Sequence, residues 1–504
     1  MIRLSVYGIN VILETDDPGT RYFLEFQTVE KRYNFWLKIW EDAKIKGKIW
    51  NRMKTNNGKT YFEIGIGFAS YLLKVFGQDI PKEDYDDVLQ AVCQSSYRTQ
   101  PFRELRDYQN QDILHLLKYK FGIFSVFTGY GKTSIIACLT KYYLDLGKKV
   151  LLVTPQSKPR DELIKRIKNN YQIDVPTRLG TGSGVVGIIT SGFLNRVEFK
   201  NDDKEGQKRI IEELEKFDVI LVDELEYCIN PAGKYIFGHA KNAEVRYGFS
   251  GTSDKKSAKL IGFSNGLADP VVTNNLDMIR YFGTSLVYKK PLDLTVNMVS
   301  VKSEALNADK LMLWEELDKD GDKGNTWVKI MSKILTNPGV SEVLVKVARR
   351  FKMPFIPVNN LQNIIYPWID EHFKDKFRIL LICGEGYVYY DLNGGREVLD
   401  LSQACVRVEE GKVDVIFSTA AGFRALDLPN LMNIILISGK IAGSVLQQVG
   451  RVARQKEFNV ITLEPLTRKP LPIYTKTMKA QKEMIKEYYS YCKINEKEIK
   501  EDEL

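Results

Sequence analysis

A glycine-rich run, Phe127-Thr128-Gly129-Tyr130-Gly131-Lys132-Thr133, lies between an apolar segment and a segment of helical periodicity. Glycines let backbone N–H groups surround a phosphate, the lysine adds a fixed positive charge, and the threonine hydroxyl can bind Mg²⁺. We therefore predict a strand, a phosphate-binding loop and a helix, with contacts to the ligand from residues 128–134, including Ser134. A strand-to-helix turn that only requires glycine is the alternative, and Val126 stands where the strict pattern has a small residue.

Two adjacent carboxylates follow an apolar segment further along the chain, in Asp218-Val219-Ile220-Leu221-Val222-Asp223-Glu224. In this arrangement Asp223 can hold Mg²⁺, and Glu224 can orient and deprotonate a water that attacks a γ-phosphate. An acidic helix N-terminus is the other interpretation. The order of the two motifs, with Lys132 and Thr133 first, favours a site for ATP and Mg²⁺ in which Thr133 and Asp223 are the metal ligands.

The rest of the chain indicates a multidomain α/β protein. Short β-branched segments alternate with amphipathic ones from about residue 105, and this rhythm occurs twice, which predicts two tandem domains with parallel sheets flanked by helices. We expect a small α+β accessory domain over 1–95, α/β domains over 96–280 and 281–470, and a helical extension over 471–504. A site at the cleft between the two α/β domains is expected.

A second cationic motif, Gln447-Gln448-Val449-Gly450-Arg451-Val452-Ala453-Arg454, closes the second α/β block. On a helix, Gln447, Arg451 and Arg454 fall on one side. Arginines so placed can stabilise the charge that develops during phosphoryl transfer. A solvated basic helix face is the alternative, but it explains neither the glycine nor the glutamine.

In this order the motifs resemble those of the superfamily 2 helicases and translocases, over roughly residues 100–465. The resemblance implies two RecA-like domains, base recognition by Arg106, Tyr108 and Gln109, and coupling of hydrolysis to movement by Ser250-Gly251-Thr252. It further implies a nucleotide contact at Asp427 and nucleic-acid contacts at Thr154, Pro155, Thr190, Ser191, Ser418 and Thr419. The chain departs from the family pattern at Val126, Glu226 and Ala425, and Glu226 puts in question how the carboxylate motif contacts Gln447.

The N-terminal region is basic and aromatic between Lys31 and Lys59. Lysines there supply affinity for phosphates and flat aromatic rings can stack on unpaired bases, so Lys44, Lys46, Lys48 and Trp50 are candidate nucleic-acid contacts. A small domain with an aromatic core and a solvated lysine face is the alternative. The segments Gly47–Asn51 and Phe62–Phe68 resemble the N-terminal domain of a branched-DNA helicase of T-even bacteriophages and its relatives.

That second resemblance implies an ATP-driven helicase acting on Holliday junctions, forks and R-loops in recombination, replication and repair, with single-stranded and branched duplex DNA as partners. The residues alone support ATP-dependent movement on nucleic acid. A duplex translocase, an RNA helicase and a non-catalytic binding module gated by ATP stay open. The motifs leave the oligomeric state undetermined, and we expect a monomer.

Composition agrees with a globular protein that binds a polyanion. The 504 residues are 44% hydrophobic and carry a formal net charge of +9. The six cysteines lack any C-x-x-C spacing, which argues against zinc and disulfides, and no apolar run reaches the length of a membrane span. We expect a cytoplasmic protein without a membrane partner, in the bacterial host cytoplasm if a phage encodes it.

Overall fold

The computed structural model describes residues 2–34, 39–127, 129–251, 276–283, 285–289, 294–307, 334–358, 365–383, 386–419, 428, 430–437, 443–453, 455–466, 472–490 and 492–504. The chain forms two compact units, Met1–Lys289 and Lys290–Leu504. Among the helices that the structure describes, none combines the length and the apolar character needed to cross a membrane.

The first unit begins with a small antiparallel sheet in the order β1-β2-β6-β5 and a separate two-stranded hairpin, β3-β4. Two amphipathic helices, α2 and α3, follow the sheet. The elements are β1 (Ile2–Tyr7), β2 (Asn10–Thr15), α1 (Thr20–Phe23), β3 (Glu25–Asn34), β4 (Ile39–Lys48), β5 (Trp50–Asn56), β6 (Lys59–Gly65), α2 (Ala69–Phe76) and α3 (Lys82–Val92).

The same unit continues with a six-stranded, fully parallel sheet in the order β12-β7-β11-β10-β8-β9. Its strands are β7 (Phe121–Val126), β8 (Val150–Thr154), β9 (Val185–Ile189), β10 (Val219–Val222), β11 (Val245–Ser250) and β12 (Ser285–Lys289). Its helices are α4 (Asp107–Leu116), α5 (Lys132–Asp145), α6 (Ser157–Tyr171), α7 (Val197–Lys200), α8 (Lys204–Leu214), α9 (Leu225–Cys228), α10 (Pro231–His239) and α11 (Leu276–Phe282).

Helices cover both faces of this sheet, as its strand sequences require. Neighbouring residues of one strand enter different cores: Phe124 and Leu152 pack on one side, Ile123 and Leu151 on the other. Side chains alternate along a strand, so a strand buried on both faces is apolar throughout. The parallel sheet flanked by helices confirms the RecA-like fold predicted for this part of the chain.

Helix α11 joins the N-terminal sheet to the parallel sheet within the first unit. Ile279 of α11 lies in the same hydrophobic core as residues of the N-terminal sheet. Gly67 approaches the helix so closely that a Cβ there would lie 1.6 Å from the carbonyl oxygen of Ile279. A glycine is therefore required at this contact.

The second unit is built on a nine-stranded sheet in the order β17-β16-β15-β18-β14-β19-β20-β13-β21, parallel except for the antiparallel edge β15-β16-β17. Its strands are β13 (Thr295–Ser303), β14 (Phe355–Pro357), β15 (Ile379–Cys383), β16 (Gly386–Tyr390), β17 (Arg396–Leu399), β18 (Val415–Ser418), β19 (Asn433–Leu436), β20 (Glu457–Pro465) and β21 (Lys493–Lys500). Its helices are α12 (Pro338–Arg350), α13 (Ile365–His372), α14 (Leu401–Glu409), α15 (Gly443–Val452) and α16 (Pro472–Tyr488). This unit is the second RecA-like domain.

The C-terminal segment differs from the helical extension expected over 471–504. Helix α16 fits that expectation, but residues Lys493–Lys500 form strand β21, which pairs in parallel with β13 along its length. The charged composition of β21 resembles a solvated helix, and its pairing with a distant strand overrides that local signal. The expectation is therefore wrong for the last part of the chain.

A half-buried acidic residue, Glu464, connects three elements of the second unit. Glu464 of β20 accepts hydrogen bonds from Lys302 of β13, at 2.8 Å, and from Lys482 of α16, at 2.5 Å. Burial by itself raises the pKa of Glu464, but the two ammonium groups outweigh it and lower the pKa to about 2. The carboxylate therefore stabilises the folded unit wherever it is ionised.

This pair of contacts predicts a pH dependence of stability. The folded pKa of Glu464 lies below its ordinary value of 4.5, so its contribution is complete above about pH 4.5 and is lost as the pH falls toward about 2. Replacing Glu464 with glutamine should flatten the loss of stability between pH 5 and pH 3, in denaturant unfolding of the full chain. A variant whose unfolding follows the same pH profile as the wild type would contradict this assignment.

Candidate active site

The carboxyl ends of three neighbouring strands meet at one edge of the first parallel sheet. Strand β7 leads into the glycine-rich loop, β10 into Asp223 and Glu224, and β11 ends at Ser250. In parallel α/β sheets this edge is where ligands bind. The sheet therefore brings the two sequence motifs together, as the sequence predicts.

The glycine-rich loop has the backbone conformation that its sequence indicates. Gly129 and Gly131 have φ angles of +94° and +99°, a region that favours glycine. Gly131 is the N-cap of α5, so the loop opens directly onto the first turn of that helix, whose N–H groups lack partners within the helix. This is a site for an anion at a helix N-terminus, and Thr128 lies outside the described residues.

The lysine and the carboxylates lie within reach of one another. Lys132 Nζ is 4.0 Å from Glu224 Oε1, with only 10% of the lysine side chain exposed. Asp223 is buried, and the backbone N–H of Glu224 donates to its Oδ1 at 3.0 Å. Burial, followed by the charge of Glu224, raises the pKa of Asp223, while Lys132 opposes the shift. A cation at this position would relieve the repulsion between the two carboxylates.

Glu224 has two further features that fit a ligand-facing role. Its backbone is left-handed, with φ +50°, which is uncommon for a residue other than glycine and occurs at functional sites where the surrounding structure holds it. Its Oε2 is buried, and no group in the described part of the chain donates a hydrogen bond to it. A buried carboxylate oxygen without a donor is costly unless a water or ligand satisfies it.

These residues fit a magnesium nucleotide. Carboxylate and hydroxyl oxygens are the ligands that Mg²⁺ prefers, and Asp223 and the half-buried Thr133 supply one of each. Thr133 and Asp223 would hold the metal, and Lys132 would pair with the phosphates.

The segment predicted to recognise a base packs directly on the glycine-rich loop. Gln109 is buried; its Oε1 accepts from the N–H of Arg106 at 2.9 Å, and its Nε2 donates to the carbonyl of Tyr130 at 2.7 Å. Tyr108 is 41% exposed, and its hydroxyl accepts a hydrogen bond from Arg106. The exposed side chains of Tyr108 and Arg106 are the groups that this segment can offer to a base, while the amide of the buried Gln109 bonds within the protein.

Most of the hydroxyl residues expected to touch nucleic acid in the first unit point inward. Thr154 and Thr190 are buried, and their side chains make internal hydrogen bonds with Gln156 and Asn230. Pro155 is buried too, whereas Ser191 is exposed. The hydroxyls of Thr154 and Thr190 are therefore occupied within the protein in this conformation, where they support the loop that presents Ser191. Contact of this segment with nucleic acid stays a prediction.

The second unit gives a similar result for its predicted hydroxyl contacts. Ser418 and Thr419 are buried at the end of β18, where Thr419 Oγ1 donates to the carbonyl of Ile382 at 3.4 Å. Their hydroxyl groups are turned away from solvent in this conformation, and contact of Ser418 and Thr419 with nucleic acid stays a prediction. Asp427, Arg454 and Thr252 lie outside the described residues, as do the side chains of Gln447 and Arg451, which occupy helix α15.

The N-terminal hairpin places the three lysine positions predicted to contact nucleic acid on one of its faces. The pairing of β3 with β4 sets residues 44, 46 and 48 opposite residues 29, 27 and 25, so alternation along the strand brings the three lysine positions to one face. The side chains of Lys44 and Lys46 lie outside the described residues. Lys48 is exposed, with its ammonium 5.4 Å from the centre of the Trp50 ring.

Trp50 itself does not face solvent. It is 4% exposed and packs edge-on against Phe62, with ring centroids 5.2 Å apart, in the core of the N-terminal sheet. A buried indole cannot stack on a base, so the predicted role of Trp50 is wrong. Its ring anchors the end of the hairpin and supports Lys48 through a cation–π contact.

The structure adds two contacts that the sequence did not indicate. Arg166 of α6 donates to Ser134 Oγ at 2.7 Å, on the first turn of α5. Asn230, the N-cap of α10, donates to Thr190 Oγ1 at 3.0 Å. Both join residues more than thirty positions apart. No local pattern signals Arg166, while Asn230 before Pro231 is recognisable as a helix cap.

Comparison with known proteins gives one family match and several structural similarities. Residues 102–255 match the family model of the type III restriction enzyme res subunit. A search of curated protein sequences finds no match. Among solved structures, T4 UvsW is similar at 15% identity over 99% of both chains, with a TM-score of 0.38. A second structure, of the UvsW helicase from bacteriophage T4, matches at 16% identity over 57% of this chain and 99% of that chain, with a TM-score of 0.36.

A further similarity is to a yeast protein. S. cerevisiae Dbp5 bound to RNA and ADP BeF3 matches at 12% identity over 80% of this chain and 91% of that chain, with a TM-score of 0.48. At these values the structural matches add nothing to the functional assignment, which depends on the family match and on the site itself. The family match spans the glycine-rich loop and both carboxylates.

Proposed function

We propose that this chain, which resembles the superfamily 2 helicases, is an ATP-driven motor that remodels branched DNA such as Holliday junctions, forks and R-loops in recombination, replication and repair. The match of residues 102–255 to the type III restriction enzyme res subunit, which covers the phosphate loop and the two carboxylates, supports an ATPase domain here. The observation that carries the proposal is the approach of Lys132 to Glu224 beside the buried Asp223.

Each of the site residues in the first domain has a separate role in the proposed ATP hydrolysis. Lys132 neutralises charge on the β- and γ-phosphates, and the backbone of the glycine-rich loop donates hydrogen bonds to them. Thr133 and Asp223 hold Mg²⁺, which polarises the phosphate oxygens when bound. Glu224 orients the attacking water and accepts its proton through Oε2, the oxygen to which no described residue donates. From the sequence motifs alone, we further propose that Gln447, Arg451, Arg454 and Asp427 contribute to nucleotide hydrolysis.

We favour a catalytic function over a non-catalytic module whose affinity for nucleic acid is controlled by ATP. Such a module needs only to bind the nucleotide, and Lys132 and the phosphate loop already provide that affinity. Nucleotide binding alone does not require the left-handed backbone of Glu224 or a buried Oε2 to which no described residue donates, but both suit a general base. The same ATP hydrolysis could also drive an RNA helicase or a duplex translocase, and these remain the alternative functions.

The basic hairpin face supports a nucleic-acid partner. Replacing Lys44, Lys46 and Lys48 with glutamine should weaken DNA binding and reduce the slope of log affinity against log salt by about 2 to 3, because each lost phosphate contact removes about 0.9 from that slope. The measurement is fluorescence anisotropy with a labelled junction between 50 and 300 mM salt.

A matched control removes the same charge elsewhere. Lys493, Lys497 and Lys500 are exposed on β21 of the second unit, and their replacement by glutamine should leave the salt slope within the error of the wild type. If the hairpin variant keeps the full slope, its lysines form only a solvated face.

Strand separation on different substrates tests the proposed activity. With ATP and Mg²⁺, the wild-type chain should convert a labelled four-way junction and an R-loop to products faster than it unwinds a linear duplex, and a Lys132→Ala variant should do neither. Movement along linear duplex without strand separation would establish the translocase instead. Preference for RNA duplexes would establish the RNA helicase, and either outcome would reject branched DNA as the substrate.

A further inference from the structure

The residue between the two glycines of the phosphate loop is anchored away from the phosphates. Tyr130 is 4% exposed, and its ring lies edge-on against Phe124 and Phe127, with centroids 5.7 and 5.5 Å away. Its hydroxyl donates to the carboxylate of Asp112, and the same oxygen lies 3.2 Å from the carbonyl of Tyr108. Burial and the bond with Asp112 raise the pKa of the hydroxyl, so it stays protonated and donates.

Both hydrogen-bond partners of the Tyr130 hydroxyl belong to α4, the helix that carries Tyr108 and Gln109 of the segment predicted to recognise a base. Asp112 and Tyr108 lie on α4, and the ring of Tyr108 meets that of Tyr130 edge-on at 5.1 Å. Gln109, on the same helix, donates to the carbonyl of Tyr130. The phosphate loop and α4 are therefore joined from both sides of the Tyr130 peptide, by its side chain and by its carbonyl.

The phosphate loop and α4 are closely packed against each other. A Cβ on Gly131 would lie 2.5 Å from Gln109 Nε2, so the amide sits directly on the backbone of the loop. The oxygen of that amide caps α4 by accepting from the N–H of Arg106. A displacement of the loop by a few tenths of an ångström would move Gln109, and with it the face that α4 offers to a base.

We propose that the Tyr130–Asp112 pair sets the base specificity of the nucleotide site, by fixing the distance between the phosphate loop and the base-recognition face of α4. A bound purine nucleotide must contact the phosphate loop with its phosphates and α4 with its base. Both contacts form together only if the distance between the loop and α4 is correct. Tyr130 and Asp112 act as positioning residues and need no contact with the nucleotide. The inference rests on the proposed function, since it requires ATP to be the substrate of this site.

A conservative variant tests this role. Tyr130→Phe keeps the ring among Phe124, Phe127 and Tyr108 and removes only the hydroxyl. We expect the KM for ATP to rise about five- to tenfold, as for the loss of one ordinary hydrogen bond, with kcat within about twofold. The KM for GTP should change by less than about twofold, because a base that does not match α4 gains little from the correct spacing. The ATP-over-GTP ratio of kcat/KM should therefore fall about five- to tenfold.

Substitutions of the acceptor separate the hydrogen bond from general effects. Asp112→Asn keeps an oxygen that accepts from Tyr130 and should retain most of the preference for ATP, whereas Asp112→Leu should lose as much as Tyr130→Phe. Combining Tyr130→Phe with Asp112→Leu should add little to either single change, since both break one interaction. Tyr143→Phe is the matched control: it removes from α5 a buried hydroxyl that is hydrogen-bonded to Gln94 and Tyr247, away from the phosphate loop.

The outcomes distinguish this inference from the proposed function. Equal losses of kcat/KM for ATP and GTP in Tyr130→Phe, or a change of the same size in Tyr143→Phe, would overturn the positioning role while ATP hydrolysis by the wild type stands. No Lys132-dependent hydrolysis of either nucleotide by the wild type would overturn both. A selective loss for ATP that Asp112→Leu reproduces and Asp112→Asn does not would establish the pair.

Discussion

Replacing Glu224 with glutamine should lower the turnover of ATP by about 10² to 10⁴, the usual contribution of a general base, while binding of Mg·ATP persists. Glutamine has nearly the same shape, but its neutral amide cannot accept a proton from water. It also removes one of the two negative charges that raise the pKa of Asp223, so retention of the metal site is expected. Steady-state kcat and equilibrium binding of a fluorescent ATP analogue measure the two effects.

A second carboxylate provides the control for this substitution. The Glu215 side chain is 26% exposed and paired with Lys241, against 27% exposure and pairing with Lys132 for Glu224. Glu215→Gln makes the same chemical change away from the phosphate loop and should leave kcat unchanged. If Glu224→Gln hydrolysed ATP at the wild-type rate, Glu224 would not be the base and its strained backbone would lack a functional explanation.

Replacing Arg246 with methionine should destabilise the first unit by about 3 kcal/mol or more, since three buried carbonyl groups lose their donor at about 1 kcal/mol or more each. Arg246 lies on β11 and is fully buried. Its guanidinium donates to the carbonyls of Phe237, Ala240 and Ala243 at 2.8, 2.6 and 3.1 Å. Burial lowers its pKa to about 10, so the group is still charged at neutral pH and is held at the C-terminal end of α10.

Thermal unfolding of the full chain measures this effect. A loss of that size in a domain of this length should lower the midpoint of the corresponding transition by about 6 °C or more. Arg209→Met, which removes an exposed arginine from α8, should shift the same midpoint by less than about 1 °C, as expected of surface substitutions. An Arg246→Met protein as stable as the wild type would mean that water replaces the guanidinium and that the three carbonyls are not sealed from solvent.

Features that depend on short-range chemistry were predictable from the sequence. The phosphate loop and the pair Asp223-Glu224 follow apolar strands, and both lie at the same sheet edge because parallel strands align their carboxyl ends. Two tandem α/β domains follow from the alternation of strand and helix patterns. Residue type and spacing carry this information directly.

Features that depend on the direction in which a side chain points could not be predicted from the sequence. A hydroxyl after a strand can face a ligand or turn inward, and Thr154, Thr190, Ser418 and Thr419 are buried. Trp50 belongs to the core for a similar reason: a basic and aromatic composition describes a binding surface and a small hydrophobic core equally well. The distinction requires the packing of distant elements, as does the pairing of β21 with β13.

The contacts that hold Tyr130 in place at the candidate site could not be predicted from the sequence either. The G-x-G-K-T pattern leaves the residue between the glycines unspecified, and nothing near Asp112 marks it as a partner. Only the packing of α4 against the loop brings them together. Sequence motifs here locate the groups expected to touch the ligand, while the groups that hold them in place come from the fold.

The most direct test of the account is steady-state ATP hydrolysis by the wild type and by Lys132→Ala, with no nucleic acid, single-stranded DNA, linear duplex, a four-way junction or RNA at equal nucleotide concentration. We predict hydrolysis that depends on Lys132 and is stimulated by DNA, most strongly by the junction. Absence of turnover under all five conditions, or turnover that Lys132→Ala retains, would contradict it.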